Sequence, residues 1–229
     1  MKAIILAGGF GTRIRSVIGN IPKAMAPISG RPFLEILVSK LEVEGFDEIY
    51  LSLHYLSEQI ENYFKQRKNR AKIFFIQEET PLQTGGAILN CLKHIHHNEK
   101  IFIINGDSFF DVNYREMMKC DEKITLALTY KQDASRYGVV EIGANKFITK
   151  FCEKEPNISG YINAGLYLCD KVFLEKTLEN FFHDKAFSFE KDFLEKKFTP
   201  IYTFISDGYF IDIGVEEDYL RAQKELRDE

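Results

Sequence analysis

A short apolar run, Lys2-Ala3-Ile4-Ile5-Leu6, feeds without a break into Ala7-Gly8-Gly9-Phe10-Gly11-Thr12-Arg13. That junction constrains the fold more than any other stretch of the chain. A brief, uninterrupted apolar run bounded by glycines reads as a strand buried on both faces, the kind found in parallel sheets covered by helices. Glycines directly after such a strand let backbone N–H groups approach phosphate oxygens, and an arginine fork adds charge in bidentate geometry. Pro22-Lys23 follows ten residues after Arg13 and offers a second cation. Two familiar phosphate loops fail on spacing. A P-loop needs Lys-Ser/Thr after its last glycine, and a dinucleotide-binding turn needs Gly-x-Gly-x-x-Gly. Gly9-Phe10-Gly11-Thr12-Arg13-Ile14 satisfies neither. A plain structural turn is the other reading of this loop.

The pattern downstream is a βαβ rhythm. Glu48 to Leu53, Lys72 to Gln77 and Lys100 to Asn105 read as strands, and Leu56 to Phe64 and Thr84 to Lys93 as helices. Pro32 to Glu44 reads as a helix with Phe33, Ile36, Leu37 and Leu41 on one stripe and Gly45 at its end. This alternation predicts an α/β fold with a mostly parallel, doubly wound sheet flanked by helices. From Ile124 the pattern turns β-rich: Ile124 to Lys131, Gly138 to Ile142, Phe147 to Glu153 and Tyr161 to Cys169 read as strands with few helices between them. Tyr209 to Ile213 and a helix from about Val215 to Arg227 close the chain. We read residues 1–229 as one domain, with a phosphate-binding half of roughly 1–120 and a second-substrate half of 121–229 that ends in the C-terminal helix.

Thirty Lys and Arg against 34 Asp and Glu leave a formal net charge of −4, which argues against a dedicated nucleic-acid binder. No apolar run approaches the ~20 residues that span a bilayer. The N-terminal apolar stretch is too short for a signal-peptide core. A cytoplasmic protein without a membrane partner is the expectation. Cys91, Cys120, Cys152 and Cys169 have no C-x-x-C spacing, so they read as reduced thiols rather than zinc ligands.

In open α/β sheets, ligands bind beyond the carboxyl ends of the strands. Asn105-Gly106-Asp107 follows one predicted strand, and Asp212 ends another before Ile213-Gly214. Either aspartate alone suits a turn or a helix cap. Together, facing a phosphate loop, they make a candidate Mg²⁺ site, because that ion takes one or two carboxylates plus phosphate oxygens.

These blocks resemble the signature of the sugar-phosphate nucleotidyltransferases. The likeness runs through Leu6-Ala7-Gly8-Gly9-Phe10-Gly11-Thr12-Arg13, Pro22-Lys23-Ala24-Met25-Ala26-Pro27 and Gly30-Arg31-Pro32-Phe33-Leu34-Glu35. It continues in order through Glu78 to Ala87, Asn105-Gly106-Asp107, Tyr137-Gly138-Val139-Val140, Glu153-Lys154, Asn163-Ala164-Gly165 and Asp212-Ile213-Gly214. The resemblance implies a Rossmann-like core with a β-rich sugar-binding extension, joining a nucleoside triphosphate to a sugar 1-phosphate with release of pyrophosphate. It also implies roles. Gly8, Gly9 and Gly11 would hold the nucleotide phosphates through backbone amides. Leu6, Ala7, Thr12, Gln83, Thr84, Gly85, Asn105 and Gly106 would complete the nucleotide site. Arg13 would neutralise the departing pyrophosphate, and Lys23 would bridge to the α-phosphate. Asp107 and Asp212 would hold Mg²⁺. Lys154 would grip the sugar phosphate, while Glu153, Asn163 and the Gly138 backbone read sugar hydroxyls. Family habit implies a homodimer.

The chain departs from the family pattern at three places. Leu82-Gln83-Thr84 stands for the usual Leu-Gly-Thr, so Gln83 either alters base contacts or caps the helix at Thr84. Glu153-Lys154-Glu155-Pro156 stands for Glu-Lys-Pro, and Gly214 is followed by Val215-Glu216 where many relatives have Thr-Pro. The chain stops soon after the Asp212 block, without a long C-terminal β-helix. Among short relatives, Ile162 to Tyr167, Ser188 to Asp192 and Phe210 to Gly214 resemble the D-glycero-α-D-manno-heptose 1-phosphate guanylyltransferases, which favours GTP. Mannose 1-phosphate guanylyltransferases and N-acetylmuramate 1-phosphate uridylyltransferases are alternatives, as is a non-catalytic nucleotide-binding regulatory subunit.

Overall fold

The computed structural model describes residues 1–152, 156, 158–183 and 185–226. They form a mixed, mostly parallel seven-stranded sheet with helices, a Rossmann-like α/β arrangement. The sheet order is Tyr202–Ile205, Ile124–Lys131, Gly160–Asp170, Lys100–Asn105, Lys2–Leu6, Glu48–Leu53, Lys72–Gln77. The chain divides into two compact units. One comprises 1–81, 104–109 and 211–229, the other 82–103 and 110–210.

In the first unit, Lys2–Leu6 pairs in parallel with Glu48–Leu53, which pairs in parallel with Lys72–Gln77. Ala3, Ile4 and Ile5 are fully buried, as an apolar run covered on both faces requires. The helix Phe33–Val43 buries Phe33, Leu34, Ile36, Leu37, Val38 and Leu41. Pro32 lies outside it in extended backbone (φ −57°, ψ 136°), and Gly45 at φ +90° follows its end, where a left-handed residue costs glycine nothing. Because the three strands run parallel, their carboxyl ends share one edge. The glycine loop, His54 and Glu78 all follow those ends directly.

In the second unit, Ile124–Lys131 pairs antiparallel with Gly160–Asp170 and parallel with Tyr202–Ile205. Val140–Ile142 and Ile148–Phe151 form a small antiparallel pair. This half is less purely β than its sequence suggests. Lys171–Phe182 is a twelve-residue helix, and Phe189–Leu194 is a π-helical turn. Both starts carry a side-chain cap: Asp170 accepts from the Phe173 N–H and Ser188 from the Lys191 N–H. Leu174 and Leu178, four residues apart and buried, supply the helical stripe that the β-branched and aromatic content around them obscured. The strand Tyr202–Ile205 also escapes the sequence reading. Its buried Thr203 lies between Tyr202 and Phe204 in sequence, and its alternation is too brief to register. Cys91 and Cys169 are buried, and none of the four cysteines forms a disulfide among the described residues. Among the described residues, no helix is long and apolar enough to cross a membrane.

Candidate active site

In the first unit, the strand Lys2–Leu6 delivers the glycine loop to a fixed place. The Ala7 N–H donates to the Ser52 carbonyl (3.0 Å), and the Gly106 N–H donates to the Leu6 carbonyl (3.0 Å). Gly106 is required by that approach, since a Cβ there would lie 2.6 Å from the Leu6 oxygen. Gly11 takes φ +59°, and a Cβ on it would meet the Lys23 Cβ at 2.8 Å. Leu6, Ala7, Gly9, Lys23, Gly106 and Asp107 line one small cavity. A Cβ built on Gly9 meets nothing within 4 Å, so its backbone faces open space. Six of the residues expected to contact nucleotide, phosphate or metal thus converge on one cleft.

Lys23 is the electrostatic centre of that cleft. Pro22 sets the backbone that enters the short 3₁₀ turn Lys23–Met25. The Lys23 Nζ donates to Asp107 Oδ2 at 2.6 Å and lies 3.9 Å from Asp212 Oδ1. The two aspartates are joined along the backbone as well, since the Ile213 N–H donates to the Asp107 carbonyl (2.9 Å). Asp212 Oδ1 also accepts from the Gly214 N–H. Burial and the neighbouring Asp107 carboxylate push Asp212 up to about 6, against the opposing pull of Lys23, the Gly214 N–H and Arg13. One ammonium shared by two carboxylates leaves negative charge uncompensated. That donor pair fits a divalent cation whose other ligands are phosphate oxygens and water. Among the described residues, no third carboxylate, histidine or cysteine joins the pair.

Thr12 and Arg13 are exposed on the loop, with Arg13 close enough to lower Asp212. Asn105 leaves its side-chain oxygen buried and without a hydrogen-bond partner among the described residues. Two residues that motif reading assigned no role support the loop from beneath. Glu78 is buried, accepts from the Ser52 hydroxyl at 2.9 Å, and lies 2.9 Å from where a Gly8 Cβ would sit. His54 Nδ1 is 3.0 Å from the Glu78 carbonyl. Phe10, half exposed, packs edge-on to His54 and tilted against Tyr55, anchoring the loop to the next strand's end.

The second unit holds the other predicted residues. Gln83 opens the helix Gln83–Leu92 at φ +58°, in the left-handed region that costs glycine least, and its side chain is exposed. It forms no cap. Thr84 instead accepts from the Phe189 N–H (2.8 Å) and donates to Glu190 Oε2 (2.6 Å). The Gly85 N–H donates to the Phe187 carbonyl (2.9 Å), and a Cβ on Gly85 would lie 2.1 Å from the Phe187 ring. Gly138 and Asn163 are brought close by the antiparallel bridge between Val139 and Ile162. The Asn163 amide is already engaged, with Nδ2 donating to the Tyr167 hydroxyl (2.8 Å) and Oδ1 accepting from the Gly165 N–H (2.8 Å). Glu153 and Lys154 lie outside the described residues.

The chain is 43% identical over 99% of its length to the D-glycero-alpha-D-manno-heptose 1-phosphate guanylyltransferase of Aneurinibacillus thermoaerophilus, and covers 99% of that protein. It is 41% identical over 96% of its length to the protein of the same name from Campylobacter jejuni, 97% of which it covers. Among solved structures, HddC from Yersinia pseudotuberculosis complexed with GMP-PN superposes with a TM-score of 0.87 at 40% identity, over 98% of this chain and 99% of that one. The inositol-1-phosphate CTP transferase from T. maritima, at 18% identity and a TM-score of 0.81 over 99% of this chain and 96% of that one, shares the fold. The sequence model for nucleotidyl transferases matches residues 2–229, and with a glycine loop, a lysine and two paired aspartates meeting in one cleft, the chain belongs to the nucleotidyl transferase family.

Proposed function

We propose that this protein transfers a guanylyl group from GTP to D-glycero-α-D-manno-heptose 1-phosphate, giving GDP-heptose and pyrophosphate. The observation that carries this reading is identity above 40%, over nearly the whole of each chain, to two proteins named for that activity. A sugar phosphate oxygen forms a new bond to the α-phosphorus while the bond from that phosphorus to the β-phosphate oxygen breaks. The sugar phosphate has a second pKa near ~6 and is already an anionic nucleophile at neutral pH, so no general base is required. The task is electrostatic: two polyanions must meet in line, and charge must be held as it moves to the leaving pyrophosphate.

The chain's own residues suit that task. Gly8, Gly9 and Gly11 offer backbone N–H groups to the nucleotide phosphates. Lys23, held in the cleft by Asp107, presents its ammonium to the α-phosphate. Arg13, exposed on the loop, neutralises the leaving pyrophosphate. Asp107 and Asp212 would hold Mg²⁺, which supplies positive charge to phosphate oxygens when bound. Gln83, Thr84 and Gly85 act toward the nucleotide. Gly138 and Asn163 act toward the sugar, with Glu153 and Lys154 assigned from sequence alone. Residues 1–229 act as one domain in this reading, in a cytoplasmic homodimer.

Pyrophosphate release with Mg²⁺ tests the reading, across GTP, ATP, UTP, CTP and dTTP paired with heptose, mannose, glucose and N-acetylmuramic acid 1-phosphates. The highest turnover is expected for GTP with heptose 1-phosphate. A maximum at another pair overturns the substrate assignment, and silence across the grid with GTP still bound overturns catalysis itself.

A further inference from the structure

Glu190 terminates two hydrogen-bond chains that run in the same direction. In one, the Gly165 N–H and Tyr167 fix the Asn163 amide, and the Tyr167 hydroxyl donates onward to Glu190 Oε1 at 3.2 Å. In the other, the Phe189 N–H donates to Thr84, whose hydroxyl donates to Glu190 Oε2 at 2.6 Å; Ser188 adds a third hydroxyl to the same oxygen at 3.1 Å. Tyr167 is fully buried, and burial followed by the Glu190 charge raises its phenol well above 10, so it remains a donor. Every group facing the carboxylate gives a hydrogen. Both carboxyl oxygens act as acceptors here, Oε1 for Tyr167 and Oε2 for Thr84 and Ser188.

The surrounding packing makes the arrangement stiff. The segment 187–189 is docked on residues 84–86 by two N–H groups donating to the Phe187 carbonyl and by the bare face of Gly85. The Phe189 ring packs edge-on to Tyr167 at 5.2 Å. Nothing in the reaction needs Glu190 to touch a substrate. Its place between Thr84 and Asn163 is what stands out, because those are the side chains assigned above to nucleotide and sugar.

We infer that Glu190 is a positioning residue that orients Thr84 toward the nucleotide and, through Tyr167, Asn163 toward the sugar phosphate. The inference rests on the substrate roles proposed above for Thr84 and Asn163. Glu190→Gln keeps shape but places an N–H against one hydroxyl that must then reverse or detach. It is expected to raise KM for both GTP and heptose 1-phosphate about tenfold, the effect of one misdirected charge-assisted hydrogen bond, with kcat within about twofold. Tyr167→Phe cuts only the Asn163 arm and is expected to raise KM for the sugar phosphate alone. Thr84→Val cuts only the other arm and is expected to raise KM for GTP alone. A lowered melting temperature with all KM values unchanged would overturn the inference, since that is what a merely structural carboxylate does. If Glu190→Gln fails to fold, the two single-arm variants carry the test. The Asn163 side-chain amide resonance gives a readout that needs no substrate: its protection from exchange should be lost in both Glu190→Gln and Tyr167→Phe. An unmoved resonance in Glu190→Gln refutes the relay. A silent wild-type enzyme with a resonance that moves refutes the substrate assignment and upholds the relay.

Discussion

Two sheltered carboxylates in the same unit show opposite treatment. Glu42 accepts two hydrogen bonds from the Arg67 guanidinium (2.8 and 3.2 Å) and two more from the Arg70 and Ala71 N–H groups (2.7 and 3.1 Å). Burial works to raise it, yet these donors hold it below its ordinary value. Asp212 has one backbone donor, a lysine ammonium at 3.9 Å that sits much closer to Asp107, and a second carboxylate beside it. It is pushed up to about 6. The fold completes the shell around Glu42 and leaves the shell around Asp212 open. A carboxylate left under-neutralised in a cleft has a charge that a bound cation would offset, which is the arrangement expected of a working site rather than of a structural ion pair.

The sharpest way to break this contrast is to remove each carboxylate in turn. Asp107→Ala and Asp212→Ala are expected to lower kcat on the order of 10²–10³-fold, the usual cost of losing preorganised electrostatic stabilisation, with no loss of melting temperature. Near-normal pyrophosphate release from either variant would show that the pair is not part of the machinery. Glu42→Ala should do the reverse. It removes the nearest carboxylate from Arg67, leaving Glu35 at 4.0 Å, and should cost about 2 kcal/mol of stability in denaturant titration, while the surviving enzyme keeps its KM and kcat.

The pH dependence separates the two carboxylates by sign. The folded Asp212 holds its proton up to about 6, whereas the unfolded chain releases it near 3.8. The cost of its charge is therefore absent below 3.8, complete above 6, and stability falls as pH rises through that window. Asp212→Asn carries no charge, so its melting temperature should gain on wild type between pH 4 and 6.5. Glu42 runs the other way: its stabilisation is present above 4.5 and is lost as pH falls below that value. A melting difference for Asp212→Asn that stays flat with pH would place the two carboxylates in one class. The smallest effect is expected from Mg²⁺ without nucleotide. Millimolar ion should raise the wild-type melting temperature by a degree or two at neutral pH, by mass action on a weak site, and should leave Asp107→Asn unmoved.

Much of the cleft around Lys23 was legible because it is built from local signals. An apolar run, two glycines and a strand-end aspartate each carry their geometry with them, so Lys2–Leu6, Gly106 and Asp107 could be placed before any tertiary contact was known. The β-rich half was less legible. Asp170 as a cap with Leu174 and Leu178 following at helical spacing was a readable start signal for Lys171–Phe182, but the apolar density nearby masked it. The π-helical turn Phe189–Leu194 has no sequence periodicity of its own. It is held by Thr84, more than one hundred residues earlier. The resemblance assigns Asn163 to sugar hydroxyls, but nothing in the sequence shows that its amide also bonds the Tyr167 hydroxyl and the Gly165 N–H.

By itself the sequence determined the fold class, the strand that delivers the glycine loop, and the chemical types available at the cleft: backbone amides, two cations and two carboxylates. These follow from side-chain period and from which residues tolerate a left-handed or crowded backbone, and both are local properties. Tertiary structure alone decided which charges are paired and which are left exposed to one another. Lys23 lies 84 positions from Asp107, Arg67 lies 25 from Glu42, and Glu190 lies 23 from Tyr167. Electrostatic energy depends on distance in space and on burial, and neither is encoded in spacing along the chain.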